Sequence, residues 1–260
     1  MRVVFITPEE PTVVRSFYER VLPEISSGTA GMVIVRPIYK NSSWAKEAKR
    51  FAKAFGWPAF LVEGGEFAAL KAMDALRRVI RIGKPLSIRS LARAYSIPVL
   101  QPRDVNDPAF LEQLRLLDVD VIVSVSCPQI FRAELLNLPR IACINVHSSM
   151  VPHYRGIAPT FWVLANGERS TGVTVMRMSA GIDDGEILNQ RAVPIDDEET
   201  LRSLMRKSKI VAAELVLRTL RELSTNELEV LPNPVEEGSY FSFPTRADVA
   251  RFRTAGRSLR

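Results

Sequence analysis

Short, almost unbroken runs of branched apolar residues alternate with amphipathic segments along this chain, and this alternation restricts the fold more than any other feature. The clearest run, residues 119–126, consists mainly of valine and isoleucine, and residues 2–7 and 142–146 resemble it. Strands of this composition are typically buried on both faces, as in parallel sheets. Because these runs alternate with helical segments, the sequence predicts an α/β protein with a Rossmann-like, mostly parallel sheet flanked by helices.

The remaining elements are predicted from apolar periodicity and from residues that start or stop helices. Further strands are expected at 31–38, 98–101, 173–178 and 187–195. Helices are expected at 12–22 with a stop at Pro23, from an N-cap at Ser42 to a stop at Gly56, and at 67–82, 87–95, 107–117, 129–136, 159–166 and 201–223.

The end of the chain differs from the rest. Residues 239–244 are extended and aromatic, and Thr245 with Asp248 forms a capping box for a last helix that carries Val249 and Phe252. We therefore expect a main domain over 1–223, which contains a basic helical insertion at 36–97, and an extension over 224–260 made of a strap and a short helix. The strap is expected to pack on the main domain, and a lid that contacts substrate is the alternative.

Composition excludes several classes of protein. The 260 residues are 47% hydrophobic and 25% charged, which is typical of a globular chain. No run approaches the roughly 20 apolar residues that cross a bilayer. Only Cys127 and Cys143 are present, so no disulfide framework is expected and a reducing cytoplasm fits. Two cysteines and two histidines at these spacings match no zinc pattern, so no metal is expected.

Positive charge is concentrated in one part of the chain. Residues 36–93 contain 13 Lys or Arg against four Asp or Glu, a surplus of nine. Such a surplus indicates either an anionic partner or a solvated face. The helix expected after Ser42 carries four of these cations, and its face either lies in water or contacts an anionic membrane. No nucleic-acid motif accompanies the charge, so nucleic acid ranks last among the partners without being excluded.

The ends of the predicted strands indicate where a ligand binds, because ligands of open α/β sheets lie beyond the carboxyl ends of strands. The first strand is followed by Glu9, Glu10 and two prolines. Carboxylates repel phosphates and prolines lack N–H donors, so a dinucleotide or ATP site there is disfavoured. The end of the strand at 142–146 is the better candidate.

The candidate chemistry rests on Asn145, His147 and Asp183. Both histidines of the chain, His147 and His153, follow the strand at 142–146, and imidazole exchanges protons near neutral pH. Asn145 and His147 lie two residues apart, so both can donate to an oxyanion that develops at a carbonyl carbon. Asp183, on a glycine-flanked loop, can orient the histidine or relay a proton. The alternatives are a structural histidine and an ordinary Asp–Gly turn.

No serine or cysteine stands beside a base in a nucleophile elbow, so an acyl-enzyme is not indicated. The residues therefore indicate direct acyl transfer between two bound substrates.

Three separated segments carry a resemblance to a known family. They are the run 120–129 ending in Cys127-Pro128-Gln129, the run Asn145-Val146-His147-Ser148-Ser149-Met150-Val151-Pro152-His153-Tyr154-Arg155-Gly156-Ile157-Ala158-Pro159, and the run 171–176 followed by Gly181-Ile182-Asp183-Asp184-Gly185. Their order and spacing resemble the 10-formyltetrahydrofolate-dependent formyltransferases, which act on methionyl-tRNA, glycinamide ribonucleotide or amino sugars. The resemblance is strong over 98–195 and weaker over 2–7.

The resemblance implies an N-formyltransferase whose catalytic domain is 1–223, with 10-formyltetrahydrofolate as formyl donor. It places the catalytic set on Asn145, His147 and Asp183. The pterin is expected against the backbone around Gln129, Ile130 and Phe131 and against the loop 179–183, which contains Gly181. Arg155 and Gly156 are candidates for binding the substrate. Ser148 and Met150 depart from the family's usual residues but replace no catalytic group.

The acceptor is expected to be a primary amine of a small molecule, most of all a nucleotide- or phosphate-linked amino sugar. The tRNA enzyme has an additional C-terminal β domain, and the 37 residues after Leu223 are too few for one. Activity on methionyl-tRNA, and a non-catalytic module that binds folate or an anion, are the alternatives. Whether the chain forms a homodimer is left open.

Overall fold

The computed structural model describes residues 1–36, 42–80 and 82–260, and it divides into two compact units, Met1–Ala142 and Cys143–Arg260. The first unit contains β1 (Val3–Pro8), β2 (Thr29–Val35), β3 (Val99–Leu100), β4 (Val121–Val125), α1 (Val14–Ile25), α2 (Trp44–Phe55), α3 (Trp57–Ile80), α4 (Ile88–Ala94), α5 (Pro108–Arg115) and α6 (Ala133–Leu136). The predicted strand end at Ile38 and parts of the predicted insertion, 37–41 and Arg81, lie outside the described residues.

The strands of the first unit form a parallel sheet in the order β3-β2-β1-β4. Every residue of β1 and β4 is buried, as expected for strands that have apolar neighbours on both faces. Phe5 in β1 makes edge-on ring contacts with Phe17 and Tyr18 of α1. The predicted fold class, a mostly parallel sheet flanked by helices, is confirmed.

The second unit contains β5 (Ala142–His147, whose first residue ends the first unit), β6 (Arg155–Gly156), β7 (Ser170–Arg177), β8 (Ile187–Pro194), β9 (Tyr240–Phe241), α7 (Pro159–Ala165), α8 (Leu201–Thr225) and α9 (Arg246–Thr254). Strands β5, β7 and β8 are antiparallel neighbours in that order. The short strands β6 and β9 pair in parallel as a separate ribbon. The predicted capping box of Thr245 and Asp248 is confirmed, and Val249 and Phe252 of α9 are buried.

Two predictions at helix ends were wrong. Pro23 does not stop α1 but lies within it, because only two helical residues follow and the buried residues Phe17, Val21 and Leu22 hold the helix on the sheet. The N-cap of α2 is Ser43 rather than Ser42, since the Ser43 hydroxyl accepts the Lys46 N–H at 3.3 Å. The predicted stop at Gly56 is confirmed, with φ of 94°.

Two helices also begin at other residues than predicted, one earlier and one later. Helix α3 begins at Trp57, ten residues before the predicted start, and continues through Gly64 and Gly65. Pro58 is tolerated because it lies in the first turn, where no intrahelical N–H is required. The helix predicted at 129–136 forms only from Ala133 onwards, so Gln129 lies in the loop before it. The predicted domain boundaries at 1–223, 36–97 and 224–260 are not tested by this geometry and stay predictions.

Candidate active site at the end of strand β5

Strand β5 presents Asn145 and His147 towards the same side, since side chains two residues apart in a strand point alike. The strand pairs with β7 so that Asn145 is opposite Met176 and His147 is opposite Thr174. His147 is buried and Asn145 is half-buried. The other histidine, His153, is exposed.

Asp183 is the centre of the site. Its Oδ1 accepts a hydrogen bond from Asn145 Nδ2 at 3.0 Å. Its Oδ2 accepts the backbone N–H of Gly156 at 2.9 Å and lies 3.5 Å from His147 Nδ1. The three residues singled out in the sequence are therefore in direct contact, although 38 positions separate Asn145 from Asp183. Their catalytic role stays a prediction.

The imidazole of His147 lies between two hydrogen-bond acceptors. Nε2 is 2.8 Å from the carbonyl oxygen of Tyr154, which can only accept, so Nε2 carries a proton. Nδ1 faces the Asp183 carboxylate and is the nitrogen at which a proton can be held or released. Because Tyr154 fixes one side of the ring and Asp183 the other, the imidazole has little rotational freedom.

Backbone geometry around these residues is unusual. Tyr154, Ala158 and Asp183 are non-glycine residues in the left-handed region, with φ of 57°, 55° and 51°. Such conformations cost about 1 kcal/mol or more each and concentrate at functional sites. Asn233 stabilises the Asp183 loop, because its Nδ2 donates to the carbonyl oxygens of Asp183 and Gly185, both at 3.1 Å.

The C-terminal strap, residues 231–244, holds the loop that contains Arg155 and Gly156. The N–H of Arg155 donates to the carbonyl of Ser239 at 2.9 Å, and the N–H of Ile157 donates to that of Phe241 at 2.9 Å. The hydroxyl of Ser239 also accepts the Tyr154 N–H at 2.9 Å. The strap therefore positions the peptide whose N–H reaches Asp183.

Aromatic contacts strengthen the same attachment. The ring of Phe241 stacks on Tyr154 and on Trp162, with centroids 5.3 and 4.8 Å apart. The indole N–H of Trp162 donates to the carbonyl of Ser242 at 2.9 Å. These contacts agree with the expectation that the strap packs on the rest of the protein.

The predicted substrate-binding residue Arg155 is half-buried, and its Nη2 donates to the carbonyl of Val235 at 3.4 Å. Within the described residues, its buried Nε and the buried Oδ1 of Asn233 have no hydrogen-bond partner. A buried donor and a buried acceptor without partners are candidates for contacts with a ligand.

A cleft with about 220 Å³ of empty volume, part of it continuous with solvent, opens beside the cluster. Its lining contains Asn145, Met176, Arg177, Met178, Ser179, Gly181, Asp183, Asp184 and Gly185. Two methionines and the backbone of a glycine-rich loop give it apolar and polar parts. The predicted residue Gly181 is exposed in this loop, where a Cβ atom would collide with the Asp184 carboxylate.

The other predicted donor-binding residues belong to the first unit. Gln129 is buried, its Oε1 accepts the Val105 N–H at 2.9 Å, and its Nε2 donates to the Arg103 carbonyl at 3.2 Å. Ile130 is exposed and Phe131 is buried. The Gln129 side chain thus has a structural partner at each end, and a role of 129–131 in binding folate stays a prediction.

Just after the carboxyl end of β1, the carboxylates of Glu9 and Glu10 accept hydrogen bonds from backbone N–H groups. Glu10 Oε2 accepts the N–H groups of Val13 and Val14, both at 2.7 Å, and Glu9 accepts that of Ile88 at 2.8 Å. Burial raises the pKa of the Glu9 carboxyl above its usual value, although the hydrogen bonds that it accepts from the backbone N–H groups of Ile88 and Arg89 act to lower it. The helix donors that a phosphate would require are therefore already used.

Asn233, Ser239 and the Tyr154 carbonyl were not identified from the sequence. No local pattern marks them, because each contacts a residue that only the fold brings near. Asn233 lies 50 positions from Asp183, Ser239 lies 85 from Tyr154, and Tyr154 lies 7 from His147.

Across residues 1–36, 42–80 and 82–260, no group of three or more His, Cys, Asp or Glu side chains is arranged to hold a metal ion.

The fold and site together define an α/β protein with an amide, an imidazole and a carboxylate clustered at the carboxyl end of a strand. A family model described as formyl transferase matches residues 1–220. The chain belongs to the formyl transferase family.

Individual relatives agree with this assignment. The chain is 43% identical to the methionyl-tRNA formyltransferase of Pelobacter propionicus over 148 residues, which are 57% of this chain and 46% of that protein. It thus spans about half the length of the curated relatives it matches.

Solved structures share the fold at low identity. The N-formyltransferase of Helicobacter canadensis is 19% identical with a TM-score of 0.60, over 95% of this chain and 72% of that one. A glycinamide ribonucleotide transformylase of Symbiobacterium toebii is 16% identical with a TM-score of 0.59, over 89% and 94%.

Proposed function

We propose that the protein transfers the formyl group of 10-formyltetrahydrofolate to a primary amine of a small molecule, with a nucleotide- or phosphate-linked amino sugar as the leading acceptor. The observation that carries the proposal is the direct contact of Asn145 and His147 with Asp183 beside an open cleft. In the overall reaction, the formyl carbon exchanges its bond to N10 for a bond to the amine, and the amine loses the proton that N10 gains.

The cluster can supply what this exchange requires. The Asn145 amide has a second N–H, besides the one donated to Asp183, that can donate to the oxygen of the formyl group as negative charge develops there, and the His147 imidazole can take part in moving a proton. The Asp183 carboxylate faces His147 Nδ1 and can stabilise a positive charge on the imidazole ring. The same carboxylate orients the Asn145 amide, so loss of Asp183 affects both Asn145 and His147.

The residues at the cleft fit a folate donor. Met176 and Met178 offer polarisable apolar contacts for a flat ring, and the loop 179–185 offers backbone polar groups. The H. canadensis neighbour was crystallised with folinic acid and dTDP-3-aminofucose, which supports a folate donor and an amino-sugar acceptor without establishing either for this chain.

Methionyl-tRNA is the second candidate acceptor, and the 43% identity to the P. propionicus enzyme favours it. The surplus of nine positive charges over 36–93 suits an anionic acceptor of either kind.

The test is an acceptor screen with 10-formyltetrahydrofolate as donor, in which release of tetrahydrofolate is followed. Acceptors are dTDP- and UDP-linked amino sugars, glycinamide ribonucleotide and methionyl-tRNA. We expect turnover with an amino-sugar nucleotide that is lost in the His147→Ala variant. Folate binding without turnover on any amine would favour a non-catalytic binding module and overturn the proposal.

A further inference from the structure

Helix α3 directs its large apolar side chains outward. Trp57, Leu76 and Val79 are 61%, 58% and 80% exposed. The other large exposed residues of the helix are Leu61, Val62, Met73 and Ile80. At 100° per residue, all seven lie within an arc of about 160°, and the sequence of α3 places no charged residue in that arc.

The opposite side of α3 carries the six charged residues of the helix together with the half-buried Phe60, Phe67 and Leu70. Asp74 is buried, and its carboxylate accepts the N–H groups of Leu86 at 2.8 Å and Ser87 at 3.1 Å. The hydroxyls of Ser87 and Ser90 donate to it at 2.8 and 2.7 Å. A surface helix normally turns its apolar side to the core. In α3 seven large apolar residues face outward and three face the other side, so the outward side is suited to an apolar environment.

The exposed cations of α3 and of α2, the helix that contacts it through Phe51 and Phe60, indicate what that environment is. Lys46, Lys49 and Lys53 of α2 are exposed, as are Lys71 and Arg78 beside the apolar arc of α3. These cations belong to the surplus of nine over 36–93. A second copy of the chain would bring the same positive charge and be repelled, whereas an anionic lipid surface would be attracted.

We propose that the α2–α3 surface, formed by the exposed cations of α2 and the seven outward apolar residues of α3, binds anionic membrane lipids peripherally. The lysines contact lipid headgroups, and Trp57, Leu76 and Val79 insert into the boundary between headgroups and acyl chains. The exposed cations Lys71 and Arg78 beside the arc keep the helix in the plane of the interface. In the part of the chain that the structure describes, no helix is both long and apolar enough to span a bilayer.

The test is flotation of the whole chain with vesicles of phosphatidylcholine alone and of phosphatidylcholine with phosphatidylglycerol. Binding is expected only with phosphatidylglycerol and should decrease as salt is added. The double variant Leu76→Gln, Val79→Gln should bind at least about ten-fold more weakly, because two inserted side chains are lost. Lys49→Glu with Lys53→Glu should weaken binding roughly five-fold for each charge removed.

The matched control is Leu116→Gln, which alters a residue that is 86% exposed just after α5. It should float like the wild type. The apolar double variant and the control change exposed side chains that have no part in the proposed reaction, so their circular dichroism and their turnover on a soluble acceptor should be unchanged. Membrane binding is thereby separated from the proposed reaction.

Absence of flotation with phosphatidylglycerol would overturn the proposal, and so would equal flotation of the Leu76→Gln, Val79→Gln variant and the wild type. Light scattering without vesicles measures the oligomeric state and distinguishes a membrane-binding surface from an interface between copies. If the apolar double variant converts a dimer into a monomer, the surface is an interface between copies and the membrane proposal is wrong.

Discussion

The α2–α3 surface and the loops around Asp183 use polar and apolar side chains in opposite ways. On the first, apolar residues such as Val79 face outward while the carboxylate of Asp74 is buried. Around the second, Asn145 and His147 point inward and both contact Asp183. The first region thus leaves large apolar side chains exposed, whereas the second has its polar groups paired within the protein. The proposed membrane surface and the proposed active site rest on that difference.

The largest effect is expected from Asp183→Asn, which keeps the shape of the side chain but removes its charge. The variant should lower kcat by about 100-fold or more, because an orienting carboxylate of an acid–base site is lost. Steady-state kinetics on the acceptor found in the screen provides the measurement. Asp184→Asn, on the same loop, is the matched control and should retain most of the activity. Comparable losses in both variants would mean that the loop, not the Asp183 charge, is what matters.

Gly156→Ala tests how closely the strap must approach the site loop. Gly156 has φ of 94°, and a Cβ there would collide with the carbonyl oxygen of Phe241. The free energy of unfolding should decrease by about 1–3 kcal/mol, as strain and collision add. Chemical denaturation measures this. Gly167→Ala is the control, since its φ is 72° but nothing lies within 4 Å of the added atom. An equal loss in both variants would show that the strap contact contributes nothing.

The smallest effect is expected on the outer side of α3. Val79→Gln should change the free energy of unfolding by less than about 0.5 kcal/mol, as for most surface substitutions. Asp74→Ala, on the inner side of the same helix, should cost about 2 kcal/mol, because several hydrogen bonds to a buried carboxylate are lost. If Val79→Gln were as destabilising as Asp74→Ala, the outward apolar side would be part of the core.

The pH dependence of the Asp74→Ala effect sharpens this contrast. Burial opposes ionisation of Asp74, but the hydrogen bonds from Ser90 and Ser87 outweigh it and lower its pKa. A carboxyl whose pKa is lowered by folding stabilises the protein above its unfolded pKa, and that contribution is lost as the pH falls through the folded pKa. The difference between wild type and Asp74→Ala should therefore be constant near neutral pH and shrink below about pH 4.

Most strands and helices could be predicted because their signals are local. The branched apolar residues of β4 and the capping box at Thr245 and Asp248 each lie within a few residues. Errors arose where tertiary contacts outweighed a local signal. Pro23 remains in α1 because buried neighbours hold the helix, and α3 continues through Gly64 and Gly65.

The candidate site could be predicted in part. Spacing placed Asn145 and His147 on one side of a strand, a glycine-flanked loop singled out Asp183, and resemblance to a family joined the three. The role of the backbone around Gln129 stays a prediction, since the hydrogen bonds of its side chain to Val105 and Arg103 do not test it. Asn233 and Ser239 could not be found, since neither stands in a motif.

The order of residues along the chain was sufficient to establish an α/β fold, a polar strand end and a cationic segment, because periodicity, composition and short motifs are properties of neighbouring residues. Only the folded chain determined that Tyr154 holds the imidazole, that the strap holds Gly156, and that α3 turns its apolar side outward. These features depend on contacts between distant residues and on which side of a helix the rest of the protein covers, and neither is encoded in any single stretch of sequence.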